Sequence, residues 1–571
     1  MNLHDLIDLP LQLDEDGVWV RPDAKPFGYT DGQASEQYLE QVFSEAKDLS
    51  SRSAELAAKI KDWPSEYHLT PKRSQLLRGF NYDRAAKVLE VGCGCGAITR
   101  FLGESFDDVV SVEGSHARAR LARMRTRDLE QVTIINSPFE ELKFKRSFDL
   151  IFCVGVFEYA SMFVAGDDPH RRILDYFSEL LAPGGTLVLA IENQLGLKYF
   201  SSSAEDHTGV MFDGIEGYPR FAKKAKTFGR VELEQRLREK FPATAFHYPW
   251  PDYKIPSCLL TEEMLSTVDC AELVGSFHST DYGVRGRKPL FDEALAWRQL
   301  AKNELIPSLA HSFLVIATKG ESVGLKLDTL GRLYSSGRRP EFSTVTRFEP
   351  SATAAVDAVK RRRDGTEEFG EGKLHHRASR SPWVAAPSVQ MLVAERARAQ
   401  DLPLDKILEP AKSWHQALVA ASDDGQLPGE MLDSIWRNAM LDEEGQLHWI
   451  DQEWFWAEPL ALDLLVARGL YYFAQSLIGA PQLGPTLSGM RVERLVLDGA
   501  ATLGSPLDAA SLARLVTFEA ALLDQIVGKG RLRSRESDVR AVLQRNLEQS
   551  KKIGPASLPQ RGVRWLRRRL R

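Results

Sequence analysis

The stretch that most constrains the fold is a short apolar segment leading into three alternating glycines. Residues 88–104 read VLEVGCGCGAITRFLGE. The apolar part predicts a buried strand, the glycines a tight turn, and the rest a helix. Open α/β sheets bind ligands at the carboxyl ends of parallel strands, where such a turn lies. We therefore expect a parallel sheet with a ligand at Gly92, Gly94 and Gly96.

Similar segments follow along the chain. Short apolar runs alternate with helical patterns up to about residue 320, including KVLEVG, DVVSVEG, VTIINS, FDLIFCVGVFEYA and TLVLAIEN. Strands separated by helix-length segments predict right-handed βαβ crossovers. The fold class predicted for this part is α/β, a doubly wound Rossmann-like domain.

The pattern changes near residue 322, first to strand-like segments and then, from about residue 400, to mostly helical ones. This order predicts a second, α+β domain. We divide the chain into an N-terminal lead-in (1–60), the α/β domain (61–321), the second domain (322–550) and a basic amphipathic tail (551–571).

The composition of the chain indicates which partners and which cellular compartment to expect. The 571 residues carry a net charge of -6, which gives no global reason to expect nucleic acid. Five scattered cysteines indicate a reducing compartment. The acidic N-terminus and the lack of a long apolar run predict a cytoplasmic protein.

The tail reads KKIGPASLPQRGVRWLRRRLR, with eight Lys or Arg and no acid. It could rest on the inner face of an anionic membrane or bind a glycan-assembly partner. A solvated tail is equally compatible with the sequence.

The spacing of the glycines indicates which type of ligand the turn binds. A dinucleotide fingerprint is G-x-G-x-x-G and draws a pyrophosphate to the helix N-terminus. Here the spacing is G-x-G-x-G, and Glu90 precedes it. A carboxylate there would repel pyrophosphate but suits a ligand with a cationic amino group and a sulfonium. The pattern favours S-adenosylmethionine.

Several motifs in the same order resemble class I S-adenosylmethionine-dependent methyltransferases over roughly residues 60–320. VVSVEG ends at Glu113, which the resemblance implies pairs with both ribose hydroxyls, and a carboxylate accepts two such bonds well. INSPFEE supplies Asn136, Ser137 and Phe139 for the adenine. FDLIFCVGVFEYA and LLAPGGTLVLA look like the fourth and fifth strands of that family.

A methyl acceptor would lie beside residues that follow the fourth and fifth strands. His207, beside Asp206 in EDHTG, is a possible base, although a histidine in a polar loop is often structural. The aromatic stretch YPWPDYKIP suits a sugar ring, and Lys254 suits a phosphate or carboxylate; a Pro-stiffened strand packed on the sheet is an equal alternative. The acceptor candidates are Tyr67, Glu158, Glu192, Asn193, Tyr253 and Lys254.

The second domain holds the segment LDSIWRNAMLDEEGQLHWID. It resembles protein-kinase-like and aminoglycoside-phosphotransferase-like enzymes, which implies Asp433 as a base and Asn438 and Asp451 as magnesium ligands. The upstream VDAVKRR places Lys360 where ATP phosphates would be gripped. The sequence departs from that pattern at Met431 and Leu432, and it offers no secure helix glutamate, although Glu367, Glu368 and Glu371 are nearby.

The two halves together resemble bifunctional enzymes that cap bacterial O-antigen polysaccharide by phosphorylating and methylating its terminal sugar. The resemblance implies a methyltransferase acting on a cell-envelope glycan or glycolipid-linked sugar, with S-adenosylmethionine and with ATP and magnesium as cofactors. The chain has no clear long heptad coiled coil after the second domain. Two alternatives stay open: a small-molecule O-methyltransferase with a degenerate kinase-like domain, and a cofactor-binding scaffold for glycan assembly.

Overall fold

The computed structural model describes residues 6–22, 32–221, 224–277, 287–528 and 535–547. The predicted basic tail, residues 551–571, lies outside these described residues. The strands are Gln12–Leu13 (β1), Trp19–Val20 (β2), Lys87–Val91 (β3), Asp108–Glu113 (β4), Val132–Asn136 (β5), Phe148–Val154 (β6), Leu181–Glu192 (β7), Ala243–Trp250 (β8), Cys258–Thr261 (β9), Ser312–Thr318 (β10), Gly331–Ser335 (β11), Thr344–Pro350 (β12), Val356–Arg362 (β13), Glu368–Glu371 (β14), Leu374–Arg377 (β15), Ser379–Pro382 (β16), Gln426–Leu427 (β17), Ala439–Leu441 (β18), Leu447–Trp449 (β19), Trp454–Trp456 (β20) and Leu460–Ala461 (β21).

The helices are Gln33–Glu45 (α1), Ala54–Ala57 (α2), Trp63–Leu69 (α3), Ala97–Ser105 (α4), His116–Arg125 (α5), Ala160–Phe163 (α6), Pro169–Leu180 (α7), Leu197–Phe200 (α8), Arg230–Arg238 (α9), Glu262–Thr267 (α10), Ala271–Gly275 (α11), Glu293–Lys302 (α12), Ile306–Leu309 (α13), Val389–Arg396 (α14), Leu404–Ile407 (α15), Ala411–Ala421 (α16), Leu462–Ser476 (α17), Val492–Leu503 (α18), Ala509–Val527 (α19) and Arg535–Leu543 (α20). Six short 3-10 helices complete the described elements: Pro71–Leu76, Phe139–Glu141, Phe157–Tyr159, Pro340–Phe342, Gly429–Asp433 and Trp436–Asn438.

The centre of the molecule is a parallel sheet with the order β5-β4-β3-β6-β7, extended by the antiparallel β10 and then β8. The order reverses on either side of β3, which makes the sheet doubly wound and confirms the predicted α/β class. In β3, four successive residues from Val88 are buried, as expected for a strand covered on both faces. The carboxyl end of β3 therefore lies at the switch point, where a ligand site is expected.

The lead-in packs against this sheet. Strand β2 adds to β5 in parallel, and β1 pairs with β2 at the sheet edge. Helix α1 buries Leu39, Val42 and Phe43 in a small core that also contains Leu121 of α5. The spacing of these three residues places them on one face of the helix, which explains why a largely polar helix docks there.

The sheet continues beyond residue 322 without a break. Strands β9, β11, β12, β13 and β16 follow β8, each antiparallel to its neighbour, and bring the total to 14 strands among the described residues. Leu330, Phe348 and Val356 share the main core with the first half of the chain. The strand-like segments predicted after residue 322 are confirmed by β11, β12 and β13.

The second half has its own helical core around Trp414 and Trp436, built mainly from α14 to α19. The hairpin β14–β15 pairs with β20 as a separate small sheet. Among the described residues, no helix is both long and apolar enough to cross a membrane. All five cysteines are buried, and none forms a disulfide.

Candidate cofactor and acceptor site

The glycine turn lies at the carboxyl end of β3, and its three glycines all have left-handed backbones. The φ angles are 71° at Gly92, 54° at Gly94 and 82° at Gly96. A Cβ on Gly92 would lie 2.4 Å from Cγ2 of Val156, and one on Gly96 would lie 2.8 Å from Cα of Ala122. Both the backbone angle and the close packing therefore require glycine here.

Glu113 ends β4 and points its carboxylate at this turn. Its Oε2 accepts a hydrogen bond from the Gly94 amide at 2.8 Å, and its Oε1 accepts one from the Ser115 amide at 2.9 Å. The residue is 5% exposed, and it forms no ion pair with any residue in the described ranges. A carboxylate has about four acceptor positions, so Glu113 keeps capacity for a ligand diol. This geometry fits the ribose of S-adenosylmethionine.

Glu90 lies beneath the turn on β3. Ser111 Oγ donates a hydrogen bond to its Oε2 at 2.7 Å. Burial raises the pKa of Glu90 to about 7 despite the hydrogen bond from Ser111, and the nearby Glu113 carboxylate adds to the rise. A buried carboxyl of this kind gains from a cationic ligand, which fits the amino group and sulfonium of the expected cofactor.

The residues predicted to hold the adenine gather at the ends of β4 and β5. Asn136 Nδ2 donates to the carbonyls of Glu113 and Gly114, at 2.9 and 2.8 Å. Ser137 donates its amide to the Glu113 carbonyl and its hydroxyl to the Pro138 carbonyl. The Phe139 ring packs 6.0 Å from that of Phe177. In this structure Asn136 and Ser137 brace the loop that carries Glu113.

A second group of side chains meets at the ends of β6 and β7. Glu158 lies in the 3-10 helix after β6, Glu192 ends β7, and His207 lies in the loop after α8. His207 Nε2 is 3.8 Å from Oε1 of both glutamates. A donor atom from each of the three residues lies within 4.8 Å of the others. We call these three residues the Glu–Glu–His cluster.

The charges in this cluster are unequal. Burial alone would lower the pKa of His207. The neighbouring carboxylates of Glu192, Glu205 and Glu158 outweigh this effect and hold the pKa well above its usual range. Burial and the Glu192 charge raise the pKa of Glu158. Burial alone would raise the pKa of Glu192, but Lys254 and His207 lower it. The cluster thus places an imidazole with a raised pKa beside one carboxyl with a raised pKa and one with a lowered pKa.

The acid bonded to His207 is Glu205. Its Oε1 lies 3.0 Å from His207 Nδ1, whereas Asp206 bonds to Lys198 at 2.9 Å and to Lys254 at 2.8 Å. Burial would raise the pKa of Asp206, but these two lysines lower it. Asp206, the neighbour of His207 in the sequence, thus contacts the two lysines and not the imidazole. The EDH triplet contains both acids, and the sequence alone does not tell which one turns towards the ring.

Tyr253 and Lys254, two of the acceptor candidates, border the Glu–Glu–His cluster. The Tyr253 hydroxyl donates to Glu192 Oε1 at 3.3 Å, and the Lys254 ammonium bonds to the same oxygen. Tyr253 also packs against Gly155, where a Cβ would lie 2.7 Å from its hydroxyl. Gly155 directly follows β6, so this contact joins the cluster to the sheet edge that carries the glycine turn.

Other predicted acceptor residues have different positions. Tyr67 lies under Arg73, whose guanidinium carbon is 4.2 Å from the ring centre. The Asn193 amide serves backbone groups: Nδ2 donates to the carbonyls of Ser308 and Ala310, and Oδ1 accepts from Leu195. Tyr248, Trp250 and Tyr253 of the aromatic stretch are all buried, and of these three only Tyr253 bonds to Glu192.

The Glu–Glu–His cluster has the donor types of a divalent metal site. The Lys254 ammonium bonded to Glu192 opposes a second cation at that carboxylate. The arrangement therefore fits proton transfer and hydrogen bonding to an acceptor better than metal binding.

In the second half of the chain, Lys360 is buried on β13 between two acids. Its ammonium bonds to Asp451 and lies 2.5 Å from Glu453 Oε2. Glu453 also bonds to Arg338 at 2.7 Å and to His376 at 3.0 Å. Burial would lower the pKa of Lys360, but Asp451 and Glu453 raise it. We call these five residues the Lys360 cluster.

The other predicted residues of this half lie beside the Lys360 cluster. Asn438 Nδ2 donates to the Asp433 carbonyl at 2.9 Å. Burial raises the pKa of Asp433 to about 6, with Arg437 opposing and Asp451 reinforcing the shift. Asp451 has a left-handed backbone, with φ of 56°. Glu368 and Glu371 lie in strand β14 and Glu367 directly precedes it, and Glu453 takes the place of a helix glutamate as the partner of Lys360.

Comparison with known proteins identifies the region that carries the glycine turn. Residues 89–189 match the methyltransferase domain family. This match spans the glycine turn, Glu113 and the strands up to β7. The chain is a S-adenosylmethionine-dependent methyltransferase. A comparison with curated proteins gives no match to this chain.

Solved structures with partial similarity are methyltransferases as well. The N-methyltransferase NodS from Bradyrhizobium japonicum WM9 is 25% identical, covering 22% of this chain and 67% of its own, with a TM-score of 0.20. A possible histamine N-methyltransferase from Thermotoga maritima is 17% identical, covering 44% and 88%, with a TM-score of 0.26. At such scores these structures carry no argument about the acceptor.

Proposed function

We propose that this enzyme transfers a methyl group to a hydroxyl of a sugar in a cell-envelope glycan or glycolipid. The observation that carries the proposal is the Glu–Glu–His cluster with Tyr253 and Lys254 at the same sheet edge as the glycine turn. Sugar hydroxyls are recognised by such convergent polar groups beside an aromatic ring. S-adenosylmethionine, when bound, supplies a methyl group already activated by its sulfonium.

Transfer to a hydroxyl requires a proton acceptor. Glu158 suits this role because its Oε2 is buried without a hydrogen-bond partner in the described chain, and burial with the Glu192 charge raises its pKa. The charged His207 stabilises the ionised form of Glu158 and is held in place by Glu205. We assign Glu158 as the base and His207 as its cationic neighbour, in place of the histidine base expected from the sequence.

Tyr253 and Lys254 orient the acceptor in this proposal. The Lys254 ammonium bridges Glu192 and Asp206, which fixes it beside the Glu–Glu–His cluster. A fixed cation there would receive a phosphate or carboxylate near the reacting sugar. Precise positioning is the main requirement of methyl transfer, since the reaction is an in-line displacement at an activated carbon.

The test is transfer of labelled methyl from S-adenosylmethionine into a cell-envelope extract, followed by identification of the labelled product. We expect label in an ether-linked methyl group of a glycan, absent with Glu158→Gln and retained with the exposed control Glu263→Gln. Label in a low-molecular-weight metabolite would support the small-molecule alternative. Label on an amine nitrogen would contradict hydroxyl methylation.

We further propose that the second half binds ATP with magnesium and phosphorylates the acceptor. Support comes from Lys360 beside Asp451 and from Asn438 beside Asp433. Because the pKa of Asp433 is raised to about 6, its carboxylate is a stronger base than an ordinary aspartate. Asn438 and Asp451 would hold magnesium, and Lys360 would contact the phosphates.

A calorimetric titration of the full chain with ATP tests this second activity. We expect binding only with magnesium, loss of that dependence in Asp451→Asn, and intact binding without phosphate transfer in Asp433→Asn. Binding that ignores magnesium, or no binding at all, would contradict the proposal and leave methyl transfer as the chemistry of the chain.

We also propose that the basic tail, residues 551–571, brings the enzyme to an anionic surface of the glycan-assembly machinery. Its eight cationic side chains and the absence of acids support this. Co-sedimentation with vesicles containing anionic lipid, compared with neutral vesicles, should be lost on deletion of the tail. Equal sedimentation of both forms would contradict it.

A further inference from the structure

A cavity of about 220 Å³ lies between strands β11 to β13 and the segment around the 3-10 helix Pro71–Leu76. It is lined by an unusual number of arginines, and we call it the arginine cavity. These residues are Arg52, Arg78, Arg332, Arg347, Arg361, Arg362 and Arg363.

Most of the arginines of the cavity project from the face of the sheet opposite to Lys360. Arg361 is opposite Val345 in the β12–β13 ladder, and Arg332 is opposite Arg347 in the β11–β12 ladder. Because side chains alternate along a strand, Arg361 projects away from the face that carries Lys360. Arg362 lies on the same face as Lys360, and its Nη1 is 3.5 Å from Nδ1 of His376, so the two groups of charges adjoin at this residue.

The cavity carries an excess of positive charge. Arg332 pairs with Asp328 and Arg347 with Glu349. Arg362 pairs with Asp364 at 2.7 Å. The other four arginines form no ion pair with any residue that the structure describes: Arg52, Arg78, Arg361 and Arg363.

These unpaired guanidinium groups repel one another. Burial lowers the pKa of Arg78 to about 10, and Arg52 and Arg363 lower it further against the attraction of Glu104. Burial and then the Arg52 charge lower the pKa of Arg363. Such crowding costs stability unless an anion joins it.

The cavity also offers a neutral polar group with free capacity. Gln75 lines it, is 4% exposed, and has no hydrogen-bond partner for its Oε1 in the described structure. Two residues earlier on the same 3-10 helix, Arg73 donates to the Lys254 carbonyl at 2.7 Å. One short helix therefore contacts both the arginine cavity, through Gln75, and the backbone of Lys254, through Arg73.

We propose that the arginine cavity binds the diphosphate group of a phosphorylated ligand. Several guanidinium forks around a small volume match the multiple oxygens of a diphosphate, and each fork can bond two of them. Four uncompensated cations exceed the charge of a single phosphate or carboxylate. The site uses none of the residues assigned to methyl transfer, so it stands or falls independently of the proposed acceptor.

Calorimetry of the full chain with inorganic pyrophosphate tests the site. The buffer contains a chelator, which excludes magnesium-dependent binding at the Lys360 cluster, and sodium chloride holds the ionic strength constant. We expect binding that weakens at least about tenfold in Arg78→Gln and in Arg363→Gln, as for loss of a charge-assisted hydrogen bond. The control Arg380→Gln removes a largely exposed arginine from the neighbouring β16 and should bind as the native chain does.

Two ligand sources share this chemistry, and competition distinguishes them. Displacement of pyrophosphate by uridine diphosphate assigns a nucleoside diphosphate, and displacement by farnesyl diphosphate assigns a lipid diphosphate. Each result supports the site when Arg363→Gln removes it. Equal pyrophosphate affinity in Arg78→Gln, Arg363→Gln and Arg380→Gln, or no binding by the native chain, would overturn the proposal.

Discussion

The two charged centres of this chain differ in how their charges are balanced. Around the glycine turn, Glu90 and Glu113 are buried, and neither forms an ion pair within the described residues. In the Lys360 cluster, the lysine is matched by Asp451 and Glu453. One centre holds anions without cationic partners, and the other neutralises itself.

This difference indicates at which centre a bound ligand would stabilise the fold. A buried carboxyl without a cation costs folding free energy, and a cationic ligand recovers it on binding. Lys360 is already held by two acids without a ligand, so it contributes to the stability of the fold before any nucleotide binds. We therefore expect the stability of the region around the glycine turn to depend on the bound cofactor. The stability of the Lys360 cluster should depend mainly on its own ion pairs.

The largest effect should come from Glu158→Gln, which sharpens the comparison by testing the chemistry next to the unbalanced centre. Removal of the proposed base should lower kcat by roughly 10² to 10⁴-fold with little change in cofactor affinity. Rates from labelled-methyl transfer, with S-adenosylhomocysteine binding as the control, measure both. A normal kcat would remove Glu158 from the mechanism.

Lys360→Met should destabilise the second half strongly, because it leaves Glu453 buried without its main cation. Breaking a buried pair in this way typically costs about 3 to 5 kcal/mol. Chemical denaturation measures the loss, and the double variant Lys360→Met with Glu453→Gln should recover much of it. Unchanged stability in the single variant would contradict this account, because Lys360 would then contribute nothing to the stability of the fold.

Gly96→Ala tests whether the turn itself is as constrained as its geometry indicates. A left-handed backbone costs about 1 to 2 kcal/mol for alanine, and displacement of Ala122 adds roughly 1 to 3 kcal/mol. Gly184→Ala is a matched control, because Gly184 has a φ of 75° but open space around its Cβ position. We expect denaturation to show a larger loss for Gly96→Ala; equal losses would show that packing at the turn is irrelevant.

Glu90→Gln should produce the smallest change, and one that depends on pH. The pKa of Glu90 is about 7 in the fold against 4.5 when unperturbed. The unfolded chain therefore loses this proton first, and the cost to folding grows as pH rises from about 4.5 to about 7, reaching at most about 3 kcal/mol. Thermal unfolding should show the variant stabilised near pH 8 and unchanged near pH 4.

The same variant should bind S-adenosylmethionine less tightly near pH 8, where the native carboxyl is ionised and attracts the cation. A variant that is no more stable than the native chain near pH 8 would contradict the assignment of Glu90 as an unbalanced anion.

Much of the first site could be predicted from the sequence because its signals are local. The glycine spacing fixes the turn, and a strand that ends in an acid places Glu113 at the same sheet edge. The residues that sequence reasoning missed act through long-range contacts. Glu205 rather than Asp206 meets His207, and Glu453 rather than a helix glutamate meets Lys360, and both depend on loop conformations that no periodic pattern encodes.

The continuous sheet was also beyond sequence reasoning. The pairing of β9 with β11 joins Leu260 to Gly331, residues far apart in the chain. Strand patterns predict that a segment is extended but not which distant edge it joins. A change of pattern near residue 322 is consequently visible, whereas the sheet that spans it is not.

The most direct test of the account is a calorimetric titration of S-adenosylhomocysteine into the native chain and into Glu113→Ala. We predict a micromolar Kd, about -8 kcal/mol, for the native chain. Loss of the carboxylate should weaken binding by about 1.5 to 3 kcal/mol, as expected for hydrogen bonds to a charged group. An unchanged Kd in Glu113→Ala would contradict the placement of the cofactor at the unbalanced carboxylates of the glycine turn.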